Sequence, residues 1–136
     1  MVNKTFHIKK IIFALVMVLV FGMMVYGNDR QINRIKDRLI GTWERETTGL
    51  ISSIFTADKI VFYREGEGTM NDRFDFQWVL IDTETLRIRS DRAGTQTYSI
   101  ELYWPGAVSR LFSGDKPTLI LNNRNPLYPP TTYIKK

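Results

Sequence analysis

The chain has no cysteine, and its only histidine is His7. The first absence excludes a disulfide scaffold, a thiolate zinc site, a cysteine nucleophile and the lipid-modified cysteine that anchors many exported bacterial proteins. The second leaves everything after residue 7 without an imidazole for base catalysis or metal binding. Length sets a further bound, because 136 residues suit one globular domain and are too few for two well-buried ones. A concentrated basic surface is missing as well. Residues 1–27 hold Lys4, Lys9 and Lys10 and no acid, which leaves 16 of the 19 basic residues against all 14 acids in the remainder, a net charge of +2. Arg87, Arg89 and Arg92 come nearest to a cationic patch. Arg87 and Arg89 alternate with Leu86 and Ile88 at the strand period, the pattern of a solvated outer face, so no nucleic-acid partner is expected.

What is present begins with an address. Lys4, His7, Lys9 and Lys10 precede the unbroken run Ile11 to Gly27, IIFALVMVLVFGMMVYG. A basic segment followed by an apolar one is the pattern of an export signal. The run's 17 residues exceed the usual signal core of about 7 to 15 and sit at the lower edge of the roughly 17 to 25 that span a bilayer. Val25 and Gly27 resemble the small residues of a cleavage site, with Tyr26 between them. Residues 1–27 therefore read as a signal peptide or an N-terminal membrane anchor. In either case the lysines stay cytoplasmic and the rest is delivered outside, to the periplasm, the cell surface or the medium. Contact with a membrane is expected only through residues 11–27, and only if they are retained.

Residues 28–40, NDRQINRIKDRLI, place Ile32, Ile35 and Leu39 on one face of a short amphipathic helix. Asn28 or Asp29 is positioned to cap its start, and Gly41 follows its last turn. From Gly41 the period changes from 3.6 to 2. Strands are expected at Thr42–Thr47, Lys59–Arg64, Gly68–Asn71, Phe74–Ile81, Thr85–Ser90, Thr95–Tyr103, Thr118–Asn122 and Thr131–Ile134. The stretch Gly49 to Asp58 is ambiguous and could extend the first or second of them. Short sequential strands with turn chemistry between them, such as Glu65-Gly66-Glu67-Gly68, imply antiparallel pairing in an up-and-down barrel over residues 41–136. Pro105 to Phe112 interrupts this pattern, and Val108, Leu111 and Phe112 are expected to form one apolar helical turn that lids a barrel end. Asn125 to Pro130 reads as a loop crossing an end before the last strand.

These residues resemble a known family. Leu39-Ile40-Gly41-Thr42-Trp43-Glu44, Val61-Phe62 leading into Gly66-Glu67-Gly68-Thr69, Phe74-x-Phe76-x-Trp78, Thr85-Leu86-x-Ile88 and a late Tyr133 look like the small bacterial lipocalin-like domains, over residues 39–136. The resemblance implies an all-β, eight-stranded lipocalin-like barrel, exported and mostly without assigned function. Gly41-Thr42-Trp43 is similar to the G-x-W of lipocalins, which implies that Trp43 is a structural plug under a cation from the last strand, here Lys135 or Lys136 rather than an arginine.

Parity sorts the aromatic residues. Phe74, Phe76, Trp78 and Leu80 share one face, as do Tyr98, Ile100, Leu102 and Trp104, with Ile60 and Phe62 able to meet them. An interior of eight strands is either filled by side chains or holds one small ligand. Two functions follow. As a binding module the barrel takes a small apolar ligand or acyl chain, with Phe62, Phe76, Trp78, Tyr98 and Trp104 as the ligand-binding wall. As a solid-core barrel it is a protein-interaction module of the cell envelope, presenting Pro105 to Phe112 or Asn125 to Pro130. No enzyme, metal site or cofactor is expected. Glu65 with Glu67 and Asp75 with Glu101 fall on a turn and on outward positions, and Ser52, Ser53 and Ser99 have no histidine to activate them.

Overall fold

The computed structural model describes residues 4–46 and 57–136. Its first element is one uninterrupted helix, α1 (Lys4–Leu39). The expectation of two helices, the second capped by Asn28 or Asp29, is therefore corrected. A fresh start at residue 28 would leave the first N–H groups of one helix and the last carbonyls of another unpaired, whereas continuation satisfies them all. Gly27 within a helix costs only about 1 kcal/mol relative to alanine. From His7 onward α1 is long and apolar enough to cross a membrane by length and composition, and the side chains of its apolar run are exposed. The chain divides into two compact units, Met1–Arg34 and Ile35–Lys136.

In the second unit, the last turn of α1 leads through Gly41, at φ 126°, into eight strands. These are β1 (Gly41–Arg45), β2 (Lys59–Phe62), β3 (Glu67–Met70), β4 (Phe74–Leu80), β5 (Thr85–Ser90), β6 (Gly94–Tyr103), β7 (Thr118–Asn123) and β8 (Thr131–Lys135). Each pairs antiparallel with its neighbour in sequence, and β1 pairs with β8 to close an up-and-down barrel. All eight expected strands are present with ends shifted by one or two residues. Thr47 and most of the ambiguous stretch lie outside the described residues. Outward positions carry Glu67, Asp75, Gln77, Arg87, Arg89 and Glu101, all exposed, so the outer wall faces water.

The interior is dense. Trp43, Ile60, Phe62, Phe76, Ile88, Ile100, Leu119, Leu121 and Tyr133 are all at most 5% exposed. Phe62 meets Phe76 and Trp78 edge-on, with ring centroids 5.6 and 5.3 Å apart. Gly68 admits this packing by having no side chain. A Cβ there would lie 2.3 Å from the Phe76 ring and 2.4 Å from the Val61 carbonyl oxygen, so the glycine is required by close approach within a strand and not by turn geometry.

A second helix, α2 (Ala107–Phe112), joins β6 to β7 where an apolar turn was expected. It does not lid the barrel. Val108, Leu111 and Phe112 are 70, 78 and 81% exposed, because that end is already closed by the last turn of α1.

Candidate functional site

Strands in a closed barrel tilt, so a row of paired residues climbs along the axis. The row Lys135, Trp43, Ile60, Met70, Phe74 begins at the end where α1 joins the barrel and finishes at the opposite rim. The rows Leu80, Leu86, Tyr98, Asn123 and Leu102, Leu119, Tyr133, Arg45 climb the same way. Height along these rows separates the inward residues into a closed helix end and a far mouth.

All three tryptophans of the chain gather at the helix end, and each meets a cation. The Trp43 indole N–H donates to the Leu39 carbonyl at 2.7 Å, which ties the ring to the last turn of α1. The Lys135 amine donates to the carbonyls of Arg38 and Ile40 at 2.6 and 2.8 Å, capping that turn. The same amine lies 5.3 Å from the centre of the Trp43 ring and 4.8 Å from that of Trp104. The Arg38 guanidinium stands 5.2 Å above Trp104, and the Lys36 amine 5.9 Å above Trp78. Burial holds the Lys135 amine below the ordinary lysine range. Gly41 beside it adopts φ 126°, a conformation that favours glycine, and a Cβ there would also come 3.1 Å from the Lys135 side chain. Of the two lysines at the end of β8, parity chooses Lys135. Lys136 points outward and pairs with Glu44 at 2.8 Å.

At the far end the inward residues change character. Arg45, Ser90, Gln96, Tyr98, Asn123 and Tyr133 replace the hydrocarbon of the middle. Arg45 is only 15% exposed along its side chain and pairs with Asp58 at 2.6 Å. The Asn123 amide donates to Gln96 at 3.0 Å and hydrogen-bonds the Tyr98 hydroxyl. Burial raises the Tyr98 phenol above its ordinary pKa against the pull of that hydrogen bond. Tyr133 donates to the Ala57 carbonyl at 2.9 Å, and burial raises its pKa further still. Phe74, half out at the rim, carries the Arg92 guanidinium 4.5 Å above its ring.

The five residues expected to line a ligand wall are thus not one surface. Phe62 and Phe76 are packed in the middle, Trp78 and Trp104 stand with the cations of the helix end, and Tyr98 faces the mouth. Arg45, Gln96 and Asn123 were missed, although Arg45 shares the parity of Trp43 and Asn123 that of Leu121. Outside the barrel, Arg87, Arg89, Glu67 and Gln77 border an open groove of about 690 Å³ on the face of β3 to β6. Among the described residues no group of three or more histidine, aspartate and glutamate side chains is placed to hold a metal ion. No family model, curated protein or solved structure matches the chain.

Proposed function

We propose that the protein is an exported lipocalin-like barrel, retained at the membrane by α1, that serves the cell envelope as a non-enzymatic binding module. Its ligand is a small amphipathic molecule held at the far mouth, with a polar head toward Arg45, Gln96 and Asn123 and an apolar part against Phe74 and Tyr98. The observation that carries this reading is the switch of inward residues from hydrocarbon to a polar side-chain network at the end opposite α1. A few convergent polar groups beside aromatic rings are what a small-molecule site requires. The filled middle does not favour an acyl chain running deep along the axis. It favours the second reading, a solid barrel that contacts a protein partner through its outer surface.

One experiment separates the two. The full chain in lipid nanodiscs is titrated with anilinonaphthalene sulfonate, a small aromatic anion, against empty nanodiscs. Saturable binding that Tyr98→Ala and Asn123→Leu each weaken, with unchanged circular dichroism, supports the mouth as a ligand site. Binding no greater than that of empty nanodiscs overturns it in favour of the interaction module.

A further inference from the structure

Among the described residues, the exposed apolar side chains of the barrel unit are unevenly distributed. Described turns at the helix end carry Tyr63 after β2, Ile81 after β4 and, in α2 after β6, Val108, Leu111 and Phe112, all exposed. Those at the mouth are Asn71-Asp72-Arg73, Asp91-Arg92-Ala93 and the loop from Arg124, in which Leu127 alone is a large exposed aliphatic. In α2 the apolar residues are Val108, Leu111 and Phe112, spaced i, i+3 and i+4, so they form one stripe. None of its residues is buried, and the stripe therefore contributes nothing to the barrel core. An apolar stripe left in water on a soluble surface marks an interaction site. Arg110 within the helix and Lys116 beyond it are exposed, as is Asp115, whose carboxylate accepts a hydrogen bond from the Ser109 hydroxyl of α2.

We infer that α2 seats in the headgroup region of the membrane that holds α1. This rests on the reading of residues 11–27 as a retained anchor. Chain length makes lipid the occupant. Only Asn28 to Arg34 separate the apolar run from the barrel unit, and seven residues reach at most about 25 Å even when fully extended. The helix end, where the chain joins the barrel, is thereby held within reach of the bilayer surface at all times, whereas a protein partner must arrive by diffusion. An apolar stripe with Arg110 and Lys116 near it, and Asp115 held by Ser109, matches an interfacial element, the hydrocarbon entering the acyl boundary and the cations meeting headgroup phosphates.

Because the chain has no cysteine, single cysteines report position without interference. Leu111→Cys, Leu127→Cys and Met24→Cys are each labelled with a polarity-sensitive fluorophore, and the full chain is reconstituted into phosphatidylcholine and phosphatidylglycerol vesicles with or without brominated acyl chains. The expected result is a blue shift and bromine quenching at position 111, deeper quenching at 24, and neither at 127. Quenching at 24 with position 111 as water-exposed as 127 overturns the inference and leaves the anchor standing. A blue shift at 111 without quenching assigns the stripe to a protein surface, such as a second copy, and also overturns it. Absence of quenching at 24 removes the anchored reading and this inference together.

Discussion

Replacing Lys135 with methionine tests the closure of the helix end with little change of volume. The methionine keeps the apolar stem of the side chain over Trp43 and Trp104 but removes the amine that donates to the carbonyls of Arg38 and Ile40. Leaving a buried acceptor unpaired costs about 1 to 3 kcal/mol, so two such carbonyls set a gross loss of about 2 to 6 kcal/mol. The lost attraction between cation and rings adds roughly 0.5 to 1 kcal/mol. Two effects oppose this. Water reaches the rim, where Lys135 is only partly buried, and replaces part of the hydrogen bonding. The amine also gives up a desolvation cost, visible in its lowered pKa. A net destabilisation of about 2 kcal/mol results, which for a unit of this size corresponds to a fall in Tm of roughly 8 to 16 °C. The assay is thermal unfolding of the full chain in detergent micelles, followed by near-ultraviolet circular dichroism of the tryptophans. Lys135→Arg, which keeps a cation able to stack on indole, is expected to lose less than half as much. If the methionine variant melts within about 2 °C of the parent, water caps the helix equally well and the closure does not depend on the lysine.

Three other outcomes follow from the same geometry. Trp43→Ala removes a fully buried ring together with its hydrogen bond to Leu39, and is expected to cost about 3 to 5 kcal/mol in urea unfolding; an unchanged midpoint refutes its role as a plug. Gly68→Ala drives a methyl into the Phe76 ring and the Val61 carbonyl, with an expected loss of about 3 kcal/mol, whereas Gly114→Ala meets no atom within 4 Å and bears only the strain of φ 67°, about 1 kcal/mol; equal losses by chemical denaturation show that packing at Gly68 is not tight. Burial raises the phenols of Tyr98 and Tyr133 in the folded chain, so the stability they supply is complete below the ordinary phenol value of about 10 and is lost as pH rises from there toward the raised folded values. Tm measured across that range should fall less steeply for Tyr133→Phe than for the parent, and identical slopes exclude the linkage.

Local rules made the strands legible. In Phe74 to Leu80 and Thr85 to Ser90, alternation of apolar and polar residues marks both the element and its inward face, because a strand half in water has no other stable pattern. The burial of Trp43 was expected from its place just after the helix stop, whereas Lys135 and Lys136 stood as equal alternatives until the structure chose Lys135, which shares the inward parity of Tyr133. The continuity of α1 was not legible. Asn28 and Asp29 are good capping residues, but capping chemistry shows only that a helix can start there and not that the preceding one has ended. The Glu65-Gly66-Glu67-Gly68 stretch was read as turn chemistry throughout. Only Gly66, at φ 82°, serves the turn, since the need for Gly68 comes from a ring on the neighbouring strand.

By itself the sequence determined the order of the strands, their period, the inward faces of β2, β4 and β6 and the apolar run at the N-terminus, all of which depend on residues a few positions apart. Only the tertiary structure decided which inward residues share a height. Parity places Trp78, Tyr98 and Trp104 inside the barrel alike, yet Trp78 and Trp104 stand with cations at the closed end while Tyr98 faces the polar mouth. That separation is set by the stagger between neighbouring strands accumulated around a closed barrel, and by the last turn of α1 filling one end. Neither is encoded in any local stretch of the chain.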